Sequence, residues 1–502
     1  MPGSIRSWKV WLNENQGLVV AISVLSLFAA GFLVRLWGIS RAHYWDEMVY
    51  LQNAQVICCG KTNYSELSFR PPLLSIVFAG AFLLWRHVYA ACIAAAAINA
   101  LGPVFLLLAG CMAVGRLPAA IASLLLAFSP FFAGVFPAGF VSDDTGNSLL
   151  TDSPALTLIL LAFWLLLRAI EKQSLRRFFF AGVVLALCIL MRFGSIPSVG
   201  MLLLLPLAAR QRWRAVGACA SGLAIAMAPY LVWSKLRYGG FLATLQAGWR
   251  NVEGPVEPFS FFITNAAKIF SYVAVVGLLL ALVTQLLRYR SWSTARQATV
   301  ANDGVIAPRF SITAYLWFWL LAGLLFFSLM PHKEPRYVMP LAPPVLLLAG
   351  SGLAFVCSLP KFKALGVTAV CAAMVITFLP IRERVREPFI NPIVPDEEVA
   401  SRFLESAVPP ATTLYMSFNY PAFAFYTNFR IHELSSVGPA LYADMEQIPL
   451  GGVLIVYREA EAPSQSDIAW VNANPKFQRL REFPSLVIYR SVARDISAPI
   501  RP

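Results

Sequence analysis

Two charged clusters interrupt a sequence that is otherwise almost continuously apolar. Tyr44-Trp45-Asp46-Glu47 follows the first apolar run, and His332-Lys333-Glu334-Pro335-Arg336-Tyr337 is wedged between two late ones. Charge beside or inside a bilayer is costly, so it needs a solvated or a functional reason. A carboxylate just outside the bilayer can act as general base on an acceptor hydroxyl, and it can also hold a divalent cation on a phosphate. Asp46 and Glu47 offer either chemistry, or are simply solvated in a loop. Their flanks, with Arg41, His43, Trp45, Tyr50 and Gln52, place aromatic and polar groups at an interface, where Trp and Tyr also gather with no catalytic role. Lys333 and Arg336 suit phosphate, Arg through its bidentate fork, and Pro335 keeps the turn from being helical on both sides. On one side of a membrane, the two clusters give a carboxylate base and a cationic clamp. That pairing suits an enzyme that takes a group from a lipid phosphate.

Further candidates are less specific. Asp143, Asp144 and Asp152 form a third acidic group. Thr151-Asp152-Ser153-Pro154 opens a helical run, so Asp152 is either a charge favoured by the helix dipole or a second carboxylate serving Asp46. Arg192 ends the run 178–191 and Arg70 precedes Pro71-Pro72; each serves a phosphate or only snorkels. His43, His87 and His432 show no ligand spacing. The eight cysteines give no CxxC; six lie in apolar runs as core residues, and the adjacency of Cys58 and Cys59 disfavours a bond between them. No glycine-rich phosphate loop is present. A divalent cation is compatible with the acidic pair, and no residue requires one.

These groups must be positioned by membrane helices. The chain has 502 residues, 58% of them hydrophobic, with mean hydropathy +0.66 and 13% charged, against roughly 25% charged in soluble domains. That excludes an ordinary soluble enzyme and makes the fold class a polytopic α-helical membrane protein. Apolar runs near 17–38, 71–85, 88–101, 103–115, 118–138, 154–168, 178–191, 195–209, 215–234, 266–287, 312–330, 337–357 and 364–380 lead us to expect 11–13 transmembrane helices. Leu101-Gly102-Pro103 is the weakest boundary. The first run shows no cleavage site and reads as an uncleaved helix.

The net charge of +14 is unevenly placed: residues 1–380 hold 28 Lys/Arg and 12 Asp/Glu, residues 381–502 hold 12 and 14. Basic loops mark the cytoplasmic side, and no basic stripe with interleaved aromatics suggests nucleic acid. With the N-terminus inside, Arg86, Arg116, Arg168–Arg177, Arg210–Arg214, Arg288–Arg309 and Lys361/Lys363 fall inside, provided an even number of helices crosses between 71 and 138. Residues 39–70, 139–153, 235–265 and 331–336 then face outward together as the catalytic loops of a domain spanning 1–380. Residues 381–502 carry no spanning run and read as a small extracytoplasmic α/β domain. Asp396 is a helix N-cap there, Val399, Phe403 and Leu404 share a helix face, and strands lie at 412–417, 452–457 and 486–489.

The order of motifs resembles a known family. An Asp-Glu pair in the first outward loop, Phe69-Arg70-Pro71-Pro72-Leu73 opening the next helix, and Thr-Asp-Ser-Pro before a later one match it. So does His-Lys-Glu-Pro-Arg-Tyr followed by Met339-Pro340 and Pro343-Pro344. Over residues 15–380 the chain resembles the integral-membrane glycosyltransferases of the C superfamily, closest to the protein mannosyltransferase and aminoarabinose transferase branch (family 39-like). The resemblance implies a sugar taken from a polyprenyl-phosphate donor and transferred with inversion on the extracytoplasmic or lumenal face. It implies an integral membrane protein, bacterial inner membrane being the expected setting, and a lipid, glycan or protein as acceptor. Carried over, Asp46 resembles the catalytic carboxylate, with Glu47 beside it and Asp152 supporting. Lys333 and Arg336 would hold the lipid phosphate with Arg192; Arg70, His332 and Tyr337 are further lipid-phosphate-binding candidates by their place in and beside the charged clusters, not by the resemblance. One position departs: the branch shows a His before the Pro-Leu pair, where Arg70 stands here. The competing class is a transporter or flippase of polyprenyl-linked or other anionic lipids. It should show repeated halves and charges near mid-membrane, and neither is visible. A structural membrane subunit would leave the acidic loop dispensable.

Overall fold

Inside a bilayer every backbone donor and acceptor must be satisfied within the chain, so long apolar runs become helices. The computed structural model describes residues 16–41, 43, 45–128, 130–133, 149–250, 255–299, 311–359, 363–379, 382, 385–386, 388–435, 438–458 and 464–493. The helices of the apolar region are α1 (Gln16–Leu36), α2 (Trp45–Cys59), α3 (Leu73–Leu84), α4 (Val88–Ala113), α5 (Arg116–Phe128), α6 (Asp152–Lys172) and α7 (Leu175–Met191). They continue with α8 (Ile196–Leu202), α9 (Arg212–Tyr238), α10 (Tyr272–Thr299), α11 (Ile312–Ser328), α12 (Ala342–Ser358) and α13 (Lys363–Phe378). Val88–Ala113, Asp152–Lys172, Arg212–Tyr238 and Pro335–Ser358 are long and apolar enough to cross a membrane by length and composition, and among the described residues seven shorter apolar helices join them. Large apolar side chains such as Leu25, Leu236, Leu321 and Ile376 are exposed on the helices, as a bundle bathed in lipid requires. The protein is a polytopic helical membrane protein.

The chain divides into two compact units. One comprises Met1–Ile39, Ser68–Leu74 and Cys92–Ile390; the other comprises Ser40–Leu67, Ser75–Ala91 and Asn391–Pro502.

In the first unit the helices approach closely through small residues, the usual substitute for hydrophobic attraction within lipid. A β-carbon on Gly182 of α7 would run into the carbonyl oxygen of Cys219 on α9, and one on Gly222 of α9 into that of Phe179 on α7. Trp319 of α11 is fully buried edge-on to Phe163 of α6, ring centroids 5.7 Å apart. Arg35 of α1 is buried and donates to the carbonyls of Gly31 (3.0 Å) and Phe132 (3.2 Å), which is how a membrane helix tolerates a guanidinium.

Two expectations change. The runs 88–101 and 103–115 are one helix, α4, which passes through Pro103; the packed neighbours of a membrane helix re-satisfy what a proline frees. Cys111 and Cys371 are exposed rather than core, whereas Cys92, Cys188, Cys219 and Cys357 are buried.

The second unit is built on a sheet. After α14 (Asp396–Ala407) come β1 (Thr413–Met416), α15 (Tyr420–Tyr426), β2 (Arg430–Glu433), α16 (Gly438–Glu446), β3 (Val453–Tyr457), α17 (Ser464–Ala473), β4 (Phe477–Glu482) and β5 (Leu486–Ser491). The strand order is β2-β1-β3-β5-β4, with β2, β1 and β3 parallel and β5 antiparallel to both β3 and β4. β3 is buried along its whole length, as a central strand covered on both faces should be. On one face Leu414, Met416, Ile455 and Ile488 meet Leu404 and Phe423; on the other Leu454, Val456 and Tyr489 meet Leu441 and Val471. Trp45 and Tyr64, from the first loop, pack against the former core.

Pro395, not Asp396, is the cap of α14; Asp396 accepts instead from the backbone N–H and the hydroxyl of Ser485, both at 2.7 Å. Val399 is exposed while Ser401 and Leu404 are buried. Cys58 and Cys59, whose adjacency argued against a bond, are joined at the end of α2.

Candidate active site

In the first unit, Asp152 is the first residue of α6 and Arg192 directly follows α7. Arg192 donates from Nη1 to Asp152 Oδ2 at 2.6 Å and to Thr151 Oγ1 at 3.4 Å. The carboxylate is 5% exposed. Its place in the first turn would attract negative charge in any case, but the partly buried guanidinium makes it half of an ion pair. The Arg192 guanidinium also lies 5.6 Å over the ring of Tyr337.

Glu334 is the hub of the second cluster. It accepts from His332 Nε2 (3.0 Å), from the Tyr337 hydroxyl (3.2 Å) and from Arg336 Nε. Burial pushes its carboxyl up, but the charge of Arg336, the bonds from Arg336 and His332, and the charge of Arg192 outweigh it and hold the acid below its ordinary range. The segment is pinned by a bridge between His332 and Val256, by Glu257 N–H donating to Pro331 O at 3.0 Å, and by a His332 Nδ1 contact with Pro255 O at 3.2 Å. Proline at 335 opens a 3₁₀ turn over Pro335–Leu341 that leads into α12, so the charged residues sit just before a helix.

Lys333 points elsewhere. It is 5% exposed and donates to the carbonyl of Glu257 at 2.7 Å. A lysine ammonium carries three donors, and among the described residues this is its one bond. A buried charge left so incompletely bonded is unfavourable unless an anion completes its shell.

In the second unit, Asp46 and Glu47 occupy the first turn of α2, where the helix N-terminus favours negative charge. Asp46 is half-buried and Glu47 buried; His43 Nδ1 meets Glu47 Oε2 at 3.3 Å, one turn earlier. All residues from Glu47 to Ala54 are buried, which makes α2 a core helix rather than a solvated loop. Part of its polar surface is bonded from the following segment: Gln52 donates to Asn63 Oδ1 (2.9 Å) and to the Tyr64 carbonyl (3.1 Å), and Asn53 Oδ1 accepts from the Glu66 N–H (3.0 Å).

The structure thus gathers Asp152, Arg192, His332, Arg336 and Tyr337 around Glu334, with Lys333 beside them in sequence. Asp46 and Glu47 belong to the second unit. Arg70 belongs to the first and lies 5.5 Å over the ring of its neighbour Phe69. Asp143 and Asp144 fall outside the described residues. Among the described residues no three His, Cys, Asp or Glu side chains gather to hold a metal ion. Sequence reasoning placed Glu334 and Glu257 in outward loops without giving either a role; the structure makes Glu334 the hub of its cluster and has Glu257 contribute a carbonyl, which its carboxylate side chain does not signal.

The Alg9-like mannosyltransferase family model matches residues 69–384. Among solved structures the chain is similar to ArnT from Cupriavidus metallidurans bound to undecaprenyl phosphate, with a TM-score of 0.63 and 13% identity over 96% of this chain and 99% of that one. It is also similar to the oligosaccharyltransferase AglB from Archaeoglobus fulgidus in complex with an inhibitory peptide and a dolichol-phosphate. There the TM-score is 0.56 and the identity 11%, over 98% of this chain and 75% of that one. No curated protein matches. The solved structures share the fold, and all of these are glycosyltransferases of the C superfamily, the superfamily that the motifs resemble. The family match spans well over half of the sequence and makes the protein a glycosyltransferase rather than a transporter. The chain belongs to the Alg9-like mannosyltransferase family.

Proposed function

We propose that the protein transfers a mannosyl group from a polyprenyl-phosphate donor to an acceptor hydroxyl, with inversion, on the extracytoplasmic or lumenal side of the membrane. The observation that carries the donor is Lys333: a buried ammonium, bonded to one carbonyl among the described residues, three residues before a second cation held by Glu334. Neutralising a phosphate is what such a group does best. The lipid phosphates bound by ArnT and AglB support the same ligand class.

The roles follow from the chemistry. Asp46 takes the proton of the acceptor hydroxyl as its oxygen attacks the anomeric carbon. The bond from that carbon to the phosphate oxygen breaks, and the electron pair leaves with the polyprenyl phosphate. Lys333, Arg336 and Arg192 stabilise the charge that develops there, with Asp152, Glu334, His332 and Tyr337 fixing the arginines. Glu47 backs Asp46 within α2, and Arg70 serves the donor at the start of α3. The leaving group is already good, so positioning and charge neutralisation carry the reaction. The basic loops support a cytoplasmic N-terminus, in a frame that takes α4 and α5 as the even pair of crossings between 71 and 138. Residues 1–380 form the catalytic membrane domain, and 381–502 the extracytoplasmic domain.

The test is binding of polyprenyl phosphate to the purified protein. Lys333→Met should weaken it roughly tenfold or more, the scale of a hydrogen bond to a charged group, with Tm held within a few degrees. Unchanged affinity removes Lys333 from the donor site.

A further inference from the structure

We infer that Tyr420, in the C-terminal domain, is a positioning residue for Asp46, so that this domain serves the chemistry by aiming the base. The inference rests on the assignment of Asp46 as base, and every contact behind it lies within the second unit.

Helix α2 begins at Trp45, one residue before Asp46. The Trp45 ring meets Tyr420 edge-on at 4.3 Å and Phe418 at 5.8 Å. Tyr64 meets Tyr420 from a second direction at 5.0 Å. The Tyr420 hydroxyl donates to Glu433 Oε1 on β2 at 2.8 Å, and burial followed by that bond pushes the phenol up. Tyr420 is therefore fixed to the sheet at its hydroxyl and gripped by two rings of the first loop. T-shaped contacts at these distances prescribe orientation as well as proximity.

The other end of α15 is held by the same loop. Lys61 donates to the carbonyls of Ala424 (2.9 Å), Phe425 (2.5 Å) and Thr427 (2.8 Å), and Asn63 donates to Ala424 O and Thr427 O, both at 3.0 Å. These are the carbonyls a helix C-terminus leaves unpaired. Burial, partly offset by Glu405, lowers the Lys61 pKa to about 8. The segment from Trp45 to Tyr64 thus clamps α15 at both ends.

Rings beside carboxylates also recognise sugars, so an acceptor platform is the rival. The geometry argues against it at Tyr420, which is 5% exposed, covered by Trp45 and Tyr64, and has its hydroxyl committed to Glu433.

The experiment uses the full chain in lipid–detergent micelles. Labelled polyprenyl-phosphate mannose is the donor and a glycolipid extract of the producing cells supplies acceptor. Tyr420→Ala should lower kcat about 10- to 100-fold, the effect of displacing a catalytic group by around 1 Å. Donor KM and the extract concentration at half-saturation should stay within about twofold, and Tyr420→Phe should restore most of kcat. An unchanged kcat in Tyr420→Ala overturns the inference. So does a shifted half-saturation for the extract at constant kcat, which would make the domain an acceptor reader. If Tyr420→Ala fails to fold, Tyr420→Leu decides by the same readouts. Asp46→Asn is run beside them: full activity there sinks the base assignment itself, whereas an inactive Asp46→Asn with a normal Tyr420→Ala sinks this inference alone.

Discussion

Glu334 shows how far a single residue can organise a site. Three side chains donate to it and a further cation, Arg192, stands near, so its acid is held below the ordinary 4.5 although burial opposes this. A carboxyl depressed in the folded state adds stability above its unfolded pKa and loses it as pH falls through the folded pKa. The thermal stability of the purified protein should therefore decline as pH drops below about 4.5, and Glu334→Gln should flatten that decline. A Tm profile of the two proteins checks it; parallel profiles would mean that Glu334 is not the group that titrates. The sequence displayed this cluster whole, because its charged residues are contiguous. Asp152 was less legible: a carboxylate in a first turn has a sufficient local explanation in the dipole, and only the fold brings Arg192, 40 residues away, against it.

At the scale of elements, helix contacts within lipid depend on small residues, and α7 and α9 show this at Gly182 and Gly222. Gly222→Ala should destabilise the protein by roughly 1–3 kcal/mol, the range for overpacking. Gly217→Ala, on the same helix with nothing within 4 Å of its β-carbon, should be neutral. Thermal melts in one detergent distinguish them, and equal melting would show that the helices part to admit a methyl. Hydropathy located the apolar helices but not their joints. Pro103 promised a break and gives none, since buried membrane helices absorb prolines that soluble ones do not. In the sheet, the buried strands β1, β3 and β5 were legible as apolar runs. The edge strands β2 and β4 were not, because Arg430–Glu433 and Phe477–Glu482 are largely polar and exposed. The apolar run 71–85 illustrates the same limit: most of α3 belongs to the second unit, a choice its composition does not encode.

At the scale of the whole molecule, the positive charge resides in residues 1–380 and the C-terminal 122 residues are nearly balanced, which sets the proposed orientation. A cysteine introduced at the exposed Leu450 should react with a membrane-impermeant maleimide from outside intact cells. Labelling only after permeabilisation would reverse the orientation. The central claim, a glycosyl transfer driven by a carboxylate base, is tested most directly by transfer of labelled mannose from polyprenyl-phosphate mannose in membranes carrying wild type or Asp46→Asn at matched expression. The expected result is a loss of about 100-fold or more in Asp46→Asn, the usual scale of a general base, with polyprenyl phosphate still bound. Equal transfer by the two proteins would contradict the account.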